Sequence, residues 1–560
     1  MRRSLLVAAV VVAAGCPPAS GPQRVGQSPS WRKPRVVEAS SSSAQARPTG
    51  PVTFAPASRS AAAYNDPIVA PAPSSTVGDA IVGAVSHAAA QLGMSAPVPD
   101  GRLYAAADEL AAVVPDEGVV PYALVEFAIQ HHGIIEPSPH LLVVWGPLDD
   151  PAPIVEQLAP RIPELLKSGA SARVGVGMSS RNSNGEGVVI LALQGSSVET
   201  KPIPRALPDG GTLHIDGSLR DPFRHPEVFV TREDGSVIEP ATQVNGLDFQ
   251  ASVACPAQAG RLQVEVVGFD ASGSTVLANF PVWCREEPPR SLTVAPDTTG
   301  AETVTTEAEA ERALFALVNR DRKAAGLAEL TWDDAVAEVA RKHSAEMRQT
   351  GVVAHVSPTT GSAADRVRAA NIRTGVVLEN IARAYSVGEA HQGLMNSPGH
   401  RANLMSSVAT HLGIGIRFGD EISGQREMFV TQLFIRVPPT IDPTAARAAV
   451  RVKLNAVRAI GDDAALAGVA QSLADDLAHG TPLDKARAGA TKKLEPLARR
   501  FARVGSVITA VSDLDALDGA ALIGDSRASV AGVGVAQGPH PDLGDKAIWV
   551  VLIVGEPITR

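Results

Sequence analysis

Residues 394–416 decide the fold. They run Leu394-Met395-Asn396-Ser397-Pro398-Gly399-His400-Arg401-Ala402-Asn403-Leu404 and, after residues 405–410, His411-Leu412-Gly413-Ile414-Gly415-Ile416. The second half recurs elsewhere in the chain. Residues 173–178 read Arg-Val-Gly-Val-Gly-Met, and residues 530–535 read Val-Ala-Gly-Val-Gly-Val. Each copy is followed by a polar, Gly-containing loop and then by an apolar run. Those runs are Val188 to Leu193, Met428 to Phe434 and Ile548 to Val554. A Gly-containing strand, a hairpin loop and a buried β-rich strand account for this pattern.

The likeness extends upstream. Helical spacing appears at Leu103–Ala107 with Leu110, at Val336–Ala340 with Met347, and at Leu466–Ala470 with Leu477. Earlier helical stretches precede these around Ile81–Leu92, Ala313–Ala325 and Ala445–Ile460. Three units are therefore expected at 75–205, 307–437 and 441–560. A period above 100 residues signals duplicated domains and not a solenoid.

The segment 207–288 has a different texture. Short alternating runs at Glu227–Thr231, Phe249–Cys255, Leu262–Val267 and Thr275–Cys284 are separated by turn signals such as Asp234-Gly235 and Ala271-Ser272-Gly273. This predicts a small all-β, Ig-like sandwich. Cys255 and Cys284 end two of its runs, either as a disulfide or as two buried thiols. In an oxidising compartment a disulfide is expected. Residues 289–306, rich in Thr, read as a linker.

The chain has 560 residues and a net charge of −9, with 45% hydrophobic and 19% charged residues. That is globular composition. The acidic balance argues against nucleic acid as a partner of the folded domains, since phosphate neutralisation needs a basic surface. Three cysteines exclude a disulfide-dense scaffold and a four-cysteine zinc site. The N-terminus supplies the reason for an odd number. Arg2-Arg3 precede an uncharged apolar run from Leu5 to Ala14, too short to span a bilayer as a mature helix. The run ends Ala13-Ala14-Gly15-Cys16, which resembles a bacterial lipobox with Ala13 where Leu is usual. An ordinary signal peptide containing a cysteine is the alternative. The lipobox reading makes 1–15 a removed leader and Cys16 the acylated residue. The protein is then an exported lipoprotein held to a lipid bilayer and facing the periplasm or the cell exterior. Residues 16–74, rich in Pro, Ser and Ala, read as a disordered tether.

The unit 307–437 carries further motifs. These are Leu317-Val318-Asn319-Arg320-Asp321-Arg322, Leu330-Thr331-Trp332, Ala340 to Met347, Ala354-His355-Val356-Ser357-Pro358, Asp365-Arg366, Leu378-Glu379-Asn380-Ile381-Ala382 and the stretch 394–416. In this order they resemble the bacterial branch of the CAP superfamily, the cysteine-rich secretory, antigen 5 and pathogenesis-related 1 group. The resemblance implies an α+β fold, an α-β-α sandwich with helices on both faces of an antiparallel sheet. With divergent outer copies, that sandwich is expected three times. The resemblance also implies a cleft with two His and two acids. By motif these fall on His355, His400 and Glu379. The second acid is missing, because its region reads Met395-Asn396-Ser397. A shifted Glu389 or His391 is not supported by spacing.

Two imidazoles and a carboxylate can hold Zn²⁺ or another divalent ion, with His355 and His400 as ligands. Without metal, a His–Glu pair can do acid–base work. The plain alternative is a hydrogen-bonded structural cluster. Ser357 lacks a nucleophile elbow and reads as a turn residue before Pro358. His343 reads as a packing histidine. Counting back without gaps from each Gly-x-Gly places Ile162 and Gly519 opposite His400, and neither outer unit has a Glu-Asn-Ile-Ala motif. The expected function is binding of an unidentified ligand or partner in the cell envelope or extracellular space. The alternative is a hydrolase of cell-wall, peptide or nucleic-acid substrates that uses His355, Glu379 and His400.

Overall fold

The computed structural model describes residues 52–66, 72–114, 120–168, 171–181, 185–294, 304–422, 425–523 and 527–558. The leader, Cys16 and residues 17–51 of the tether lie outside the described residues. The chain forms two compact units, residues 48–437 and a second one described within 438–560.

Three four-stranded sheets share one strand order. In the middle one, Thr331–Trp332 pairs parallel with His411–Ile422. That strand pairs antiparallel with Gln425–Ile435, and Val377–Ala384 closes the edge. The other two run Val98–Pro99, Ser171–Ser180, Glu186–Gly195, His140–Pro147, and Gly461–Asp462, Val530–His540, Gly544–Pro557, Phe501–Val511. Leu412, Ile414, Ile416, Val430 and Phe434 pack on the helices Glu307–Ala324 and Val387–Asn396. Leu433 and Ile435 pack on the other face against Val336, Val339 and Ala340 of the helix Asp334–Thr350. The period-2 alternation along each strand thus separates two helical layers.

The Gly-x-Gly pattern has a packing cause. A methyl group on Gly413 would lie 2.2 Å from the Ala337 amide nitrogen, and one on Gly415 2.1 Å from that of Arg341. The helix Asp334–Thr350 rests directly on strand backbone. The other sheets repeat this. Gly175 and Gly177 abut Leu103 and Ala107 of the helix Gly101–Val113, and Gly532 and Gly534 abut Ala467 and Ala470 of the helix Ala464–Ala478.

Between the first two sheets lie a four-stranded and a five-stranded sheet around one core of Leu213, Ile215, Val228, Val264, Val266 and Phe280. Two segments depart from expectation here. The tether expected over 16–74 is structured in its later part. Val52–Phe54 pairs with Leu292–Val294, and Ala63–Tyr64 pairs with Ile203–Pro204. Phe54 stacks edge-on against Phe127, and the Tyr64 hydroxyl donates to the Pro281 carbonyl at 2.7 Å. These two buried aromatics offset the ordering entropy that a Pro/Ala-rich chain otherwise resists. The same pairing orders Leu292–Val294 within the expected linker 289–306. The β-region also begins earlier than 207, since Val198–Thr200 and Ala206–Leu207 join its sheets.

Cys255 and Cys284 form a disulfide across 29 residues, with Cα atoms 5.7 Å apart. Constraining a loop of that size stabilises by about 3 kcal/mol. A Cys255→Ser/Cys284→Ser variant is expected to lower the denaturant midpoint of the β-region accordingly. An unchanged midpoint under non-reducing conditions would refute this.

Candidate functional site

Three elements bring the site residues together. Glu379 sits on the edge strand Val377–Ala384, His400 is the third residue of the helix Pro398–Leu404, and His355 lies in the loop after the helix Asp334–Thr350. Ser362 and Asp365 form a capping box that starts the helix Ala363–Ala369, and this helix carries Arg366.

The Glu379 carboxylate is fully engaged. Its Oε1 accepts from His355 Nδ1 at 3.0 Å, and its Oε2 accepts a charge-assisted bond from Arg366. Arg366 also donates to the carbonyls of His355 (3.1 Å) and Gly361 (2.7 Å), which fixes the loop on the helix. Burial alone would raise the Glu379 carboxyl. The His355 hydrogen bond and the Arg366 charge outweigh it and hold the group below the usual carboxylate range.

The His355 and His400 rings lie nearly parallel, with centroids 6.4 Å apart and planes at 22°. Burial, and then the neighbouring His355, push His400 down to about 3, so His400 is neutral at physiological pH. Its Nδ1 lies 2.6 Å from Ser397 Oγ. Ser397 Oγ also bonds Glu265 Oε2, and Glu265 Oε1 accepts from the Gly399 amide at 2.9 Å. An ionised carboxylate only accepts. With Glu265 ionised, above about 7, the Ser397 proton goes to it, and Ser397 Oγ accepts from His400 Nδ1–H. By the same logic His355 is protonated on Nδ1. His400, neutral, keeps its Nε2 lone pair.

The surrounding amides satisfy backbone. Asn380 donates to the His400 carbonyl at 3.2 Å, and Asn403 donates to the Glu379 carbonyl at 3.1 Å. Ser357 is a turn residue as its sequence suggests. Its hydroxyl donates to Glu346 at 2.6 Å and accepts the amides of Thr359 and Thr360. His343 is buried and bonded to the Ala354 carbonyl at 2.9 Å. Glu389 accepts from the Tyr385 amide, and His391 pairs with Asp321 at 2.7 Å.

The β-region touches this cluster directly. The Val356 amide donates to the Ser272 carbonyl at 2.9 Å, and a methyl on Gly273 would lie 2.9 Å from His355 Cβ. Asn279 donates to the Asn396 carbonyl at 3.2 Å.

Sequence reading found His355, Glu379 and His400, and the structure brings them together. It missed the roles of Arg366, Ser397 and Glu265. Arg366 stands in a quoted motif, where only tertiary structure shows its partner. Glu265 falls with Gln263 on the polar register of the alternating run Leu262–Val267, where a solvated side chain is the ordinary expectation, so no local signal marked it.

The sheet registers show which residues stand at the Glu379 position in the other two sheets. Glu379 and Gly413 both pair with Leu433. At the corresponding positions, Leu141 shares Ala192 with Gly175, and Ser506 shares Ile553 with Gly532. The acid position is thus Leu141 in one outer sheet and Ser506 in the other.

A β-sheet between helical layers, with paired histidines and a buried acid beside them, is the architecture of the resemblance stated above. Residues 315–434 match the sequence profile described as CAP: Cysteine-rich secretory protein family. The chain therefore carries a CAP domain. It is 41% identical over 107 residues to an uncharacterized membrane protein, YlbC, of Bacillus subtilis (strain 168), covering 19% of this chain and 31% of that one. It is 34% identical over 106 residues to an uncharacterized protein, YkwD, of the same strain, covering 19% and 41%. The chain thus spans about a third to two fifths of the length of these curated relatives. Among solved structures, an extracellular protein containing a SCP domain from Bacillus anthracis str. Ames is similar at 23% identity and a TM-score of 0.22. The match covers 40% of this chain and 78% of that one. A score of that size carries no argument, so the family assignment rests on the sequence match.

Proposed function

We propose that this chain is an exported, membrane-tethered CAP-domain lipoprotein that binds a ligand or partner in the cell envelope or extracellular space. On this reading the three similar sheets are duplicated CAP-type domains, the outer two are scaffolds, and the β-region is an Ig-like sandwich. Attachment is assigned to acyl chains on Cys16, which add burial energy per CH₂ group. The name of the Bacillus subtilis membrane protein agrees with this placement.

The observation that favours binding over hydrolysis is how the polar groups are committed. Both Glu379 oxygens are taken, by His355 and Arg366. The hydroxyl against His400 is Ser397, a buried bridge that donates to the ionised Glu265 carboxylate and not to His400. What the cluster offers a ligand is the Nε2 edge of two imidazoles, each held at Nδ1. They suit N–H or O–H donors, or a cation. Among the described residues no group of three or more His, Cys, Asp or Glu is placed to hold a metal ion. Zn²⁺ or another divalent ion would be a guest of His355 and His400 Nε2, each ring oriented through Nδ1 as metal-binding imidazoles are. Glu379 then serves as an outer partner. A bound ion would supply a Lewis acid there. Among the described residues no helix is long and apolar enough to cross a membrane.

Two measurements test the reading. Cys16→Ser is expected to move the chain from the membrane fraction to the soluble fraction, and retention in the membrane would refute the anchor. His355→Ala/His400→Ala is expected to abolish retention of envelope extract by the full chain. Undiminished retention removes the cluster from the function. Turnover of cell-wall or peptide substrates that Glu379→Gln abolishes would favour the hydrolase instead.

A further inference from the structure

The CAP domain lacks an acid in the region Met395-Asn396-Ser397, yet His400 ends on a carboxylate that arrives from another domain. The strand Gly260–Asp270 alternates. Leu262, Val264 and Val266 point into the core of the β-region. Gln263 and Glu265 occupy the opposite face and are also buried, because that face meets the CAP domain. Glu265 is 1% exposed. A carboxylate that deeply buried is costly unless its lone pairs are used. Here they take the Gly399 amide at the start of the helix Pro398–Leu404 and the Ser397 hydroxyl.

We propose that Glu265 is a positioning residue of the CAP site, acting across the domain boundary through the Ser397 hydroxyl to hold His400 in the Nδ1–H tautomer. This leaves Nε2 as the acceptor that faces an incoming donor or cation. The β-region is then part of the site and not a spacer. Another of its contacts, the Ser272–Gly273 turn on His355 and Val356, holds the second imidazole's loop against the same β-region.

The inference rests on the reading of His355, Glu379 and His400 as the binding cluster. The tautomer belongs to His400 whatever is bound, however, so the two can fail separately. A Glu265→Gln change makes a specific prediction. The side-chain oxygen stays with the Gly399 amide, and the new amide group faces Ser397 Oγ as a donor. Ser397 must then turn its proton towards His400 Nδ1, and the ring switches to the Nε2–H tautomer. A merely structural loss at the domain boundary would not move the proton.

The experiment is imidazole ¹⁵N–¹H correlation on the full chain with ¹⁵N-labelled histidine, with His400 assigned by a His400→Gln variant. It is recorded near pH 8.5, where Glu265, raised by burial to about 7, is ionised. The expected result is Nδ1–H in the native chain and Nε2–H in Glu265→Gln. Ser397→Ala is expected to make His400 insensitive to Glu265→Gln, since the bridge is gone. If Glu265→Gln does not fold, the Ser397→Ala chain carries the test alone, because losing the bridge must shift the His400 Nδ1 resonance. An unchanged His400 spectrum in a folded Glu265→Gln or Ser397→Ala chain overturns the proposal, and so does an Nε2–H tautomer in the native chain.

Discussion

A Gly415→Ala substitution is expected to destabilise the CAP domain by about 3 kcal/mol or more, at the upper end of what overpacking costs. The added methyl would meet the Arg341 amide nitrogen at 2.1 Å and the Ala340 carbonyl carbon at 2.2 Å. Both are backbone atoms in the middle of the helix Asp334–Thr350, so no rotamer change relieves the clash. The whole helix must retreat from the sheet. That uncovers Val336, Val339 and Ala340 on one side and Leu433 and Ile435 on the other. Gly177→Ala and Gly534→Ala are expected to do the same to their own domains, where the methyl would lie 2.0 Å from the Ala107 carbonyl carbon and 2.2 Å from that of Ala470. Gly468→Ala is the control. It lies within the helix Ala464–Ala478 with nothing inside 4 Å of its methyl, and helix propensity predicts a gain of about 0.5–1 kcal/mol. Thermal melts of the four variants check the set. A Gly415→Ala melt equal to the native one would show that the glycine pairs are not what sets the helix–sheet distance.

That packing rule explains why so much of the architecture was legible in the sequence. A Gly-x-Gly strand under a helix leaves a local trace, because both glycines and the apolar alternation lie within six residues. The ungapped count from those glycines put Ile162 and Gly519 opposite His400. In the structure they are the first residues of the helices Ile162–Ser168 and Gly519–Ile523, while His400 is in Pro398–Leu404. The site was legible only in part, because its bonds are long-range. Arg366 and Glu379 are 13 residues apart, and Ser397 and Glu265 are 132 apart. No periodicity reports such a pair. The ordering of Val52–Phe54 and Ala63–Tyr64 was hidden for a related reason. Composition reads a Pro/Ala-rich segment as tether, and only the partners of Phe54 and Tyr64 reverse that.

Arg366→Met is expected to cost about 3–5 kcal/mol at pH 7, the range for removing one partner of a buried pair. The Arg366 and Glu379 side chains are 4% and 5% exposed. Loss of the guanidinium strands a buried carboxylate on His355 alone and also frees the carbonyls of His355 and Gly361. Replacing both partners, as Arg366→Met/Glu379→Gln, should recover part of the loss. A double-mutant cycle reads the coupling directly. The pH dependence follows from the sign of the shift. Glu379 is held below its ordinary value of 4.5 in the folded chain, so its contribution is fully present above that value and is lost as pH falls through the folded one. The native chain should therefore lose stability in acid below about pH 4.5 from this group. The Arg366→Met chain lacks the charge that depresses Glu379, so the gap between the two should narrow in acid. Denaturant midpoints at pH 7 and pH 4 test this. A gap that is equal at both would mean that Arg366 acts through its carbonyl bonds, as a brace for the His355 loop, and not through the Glu379 charge.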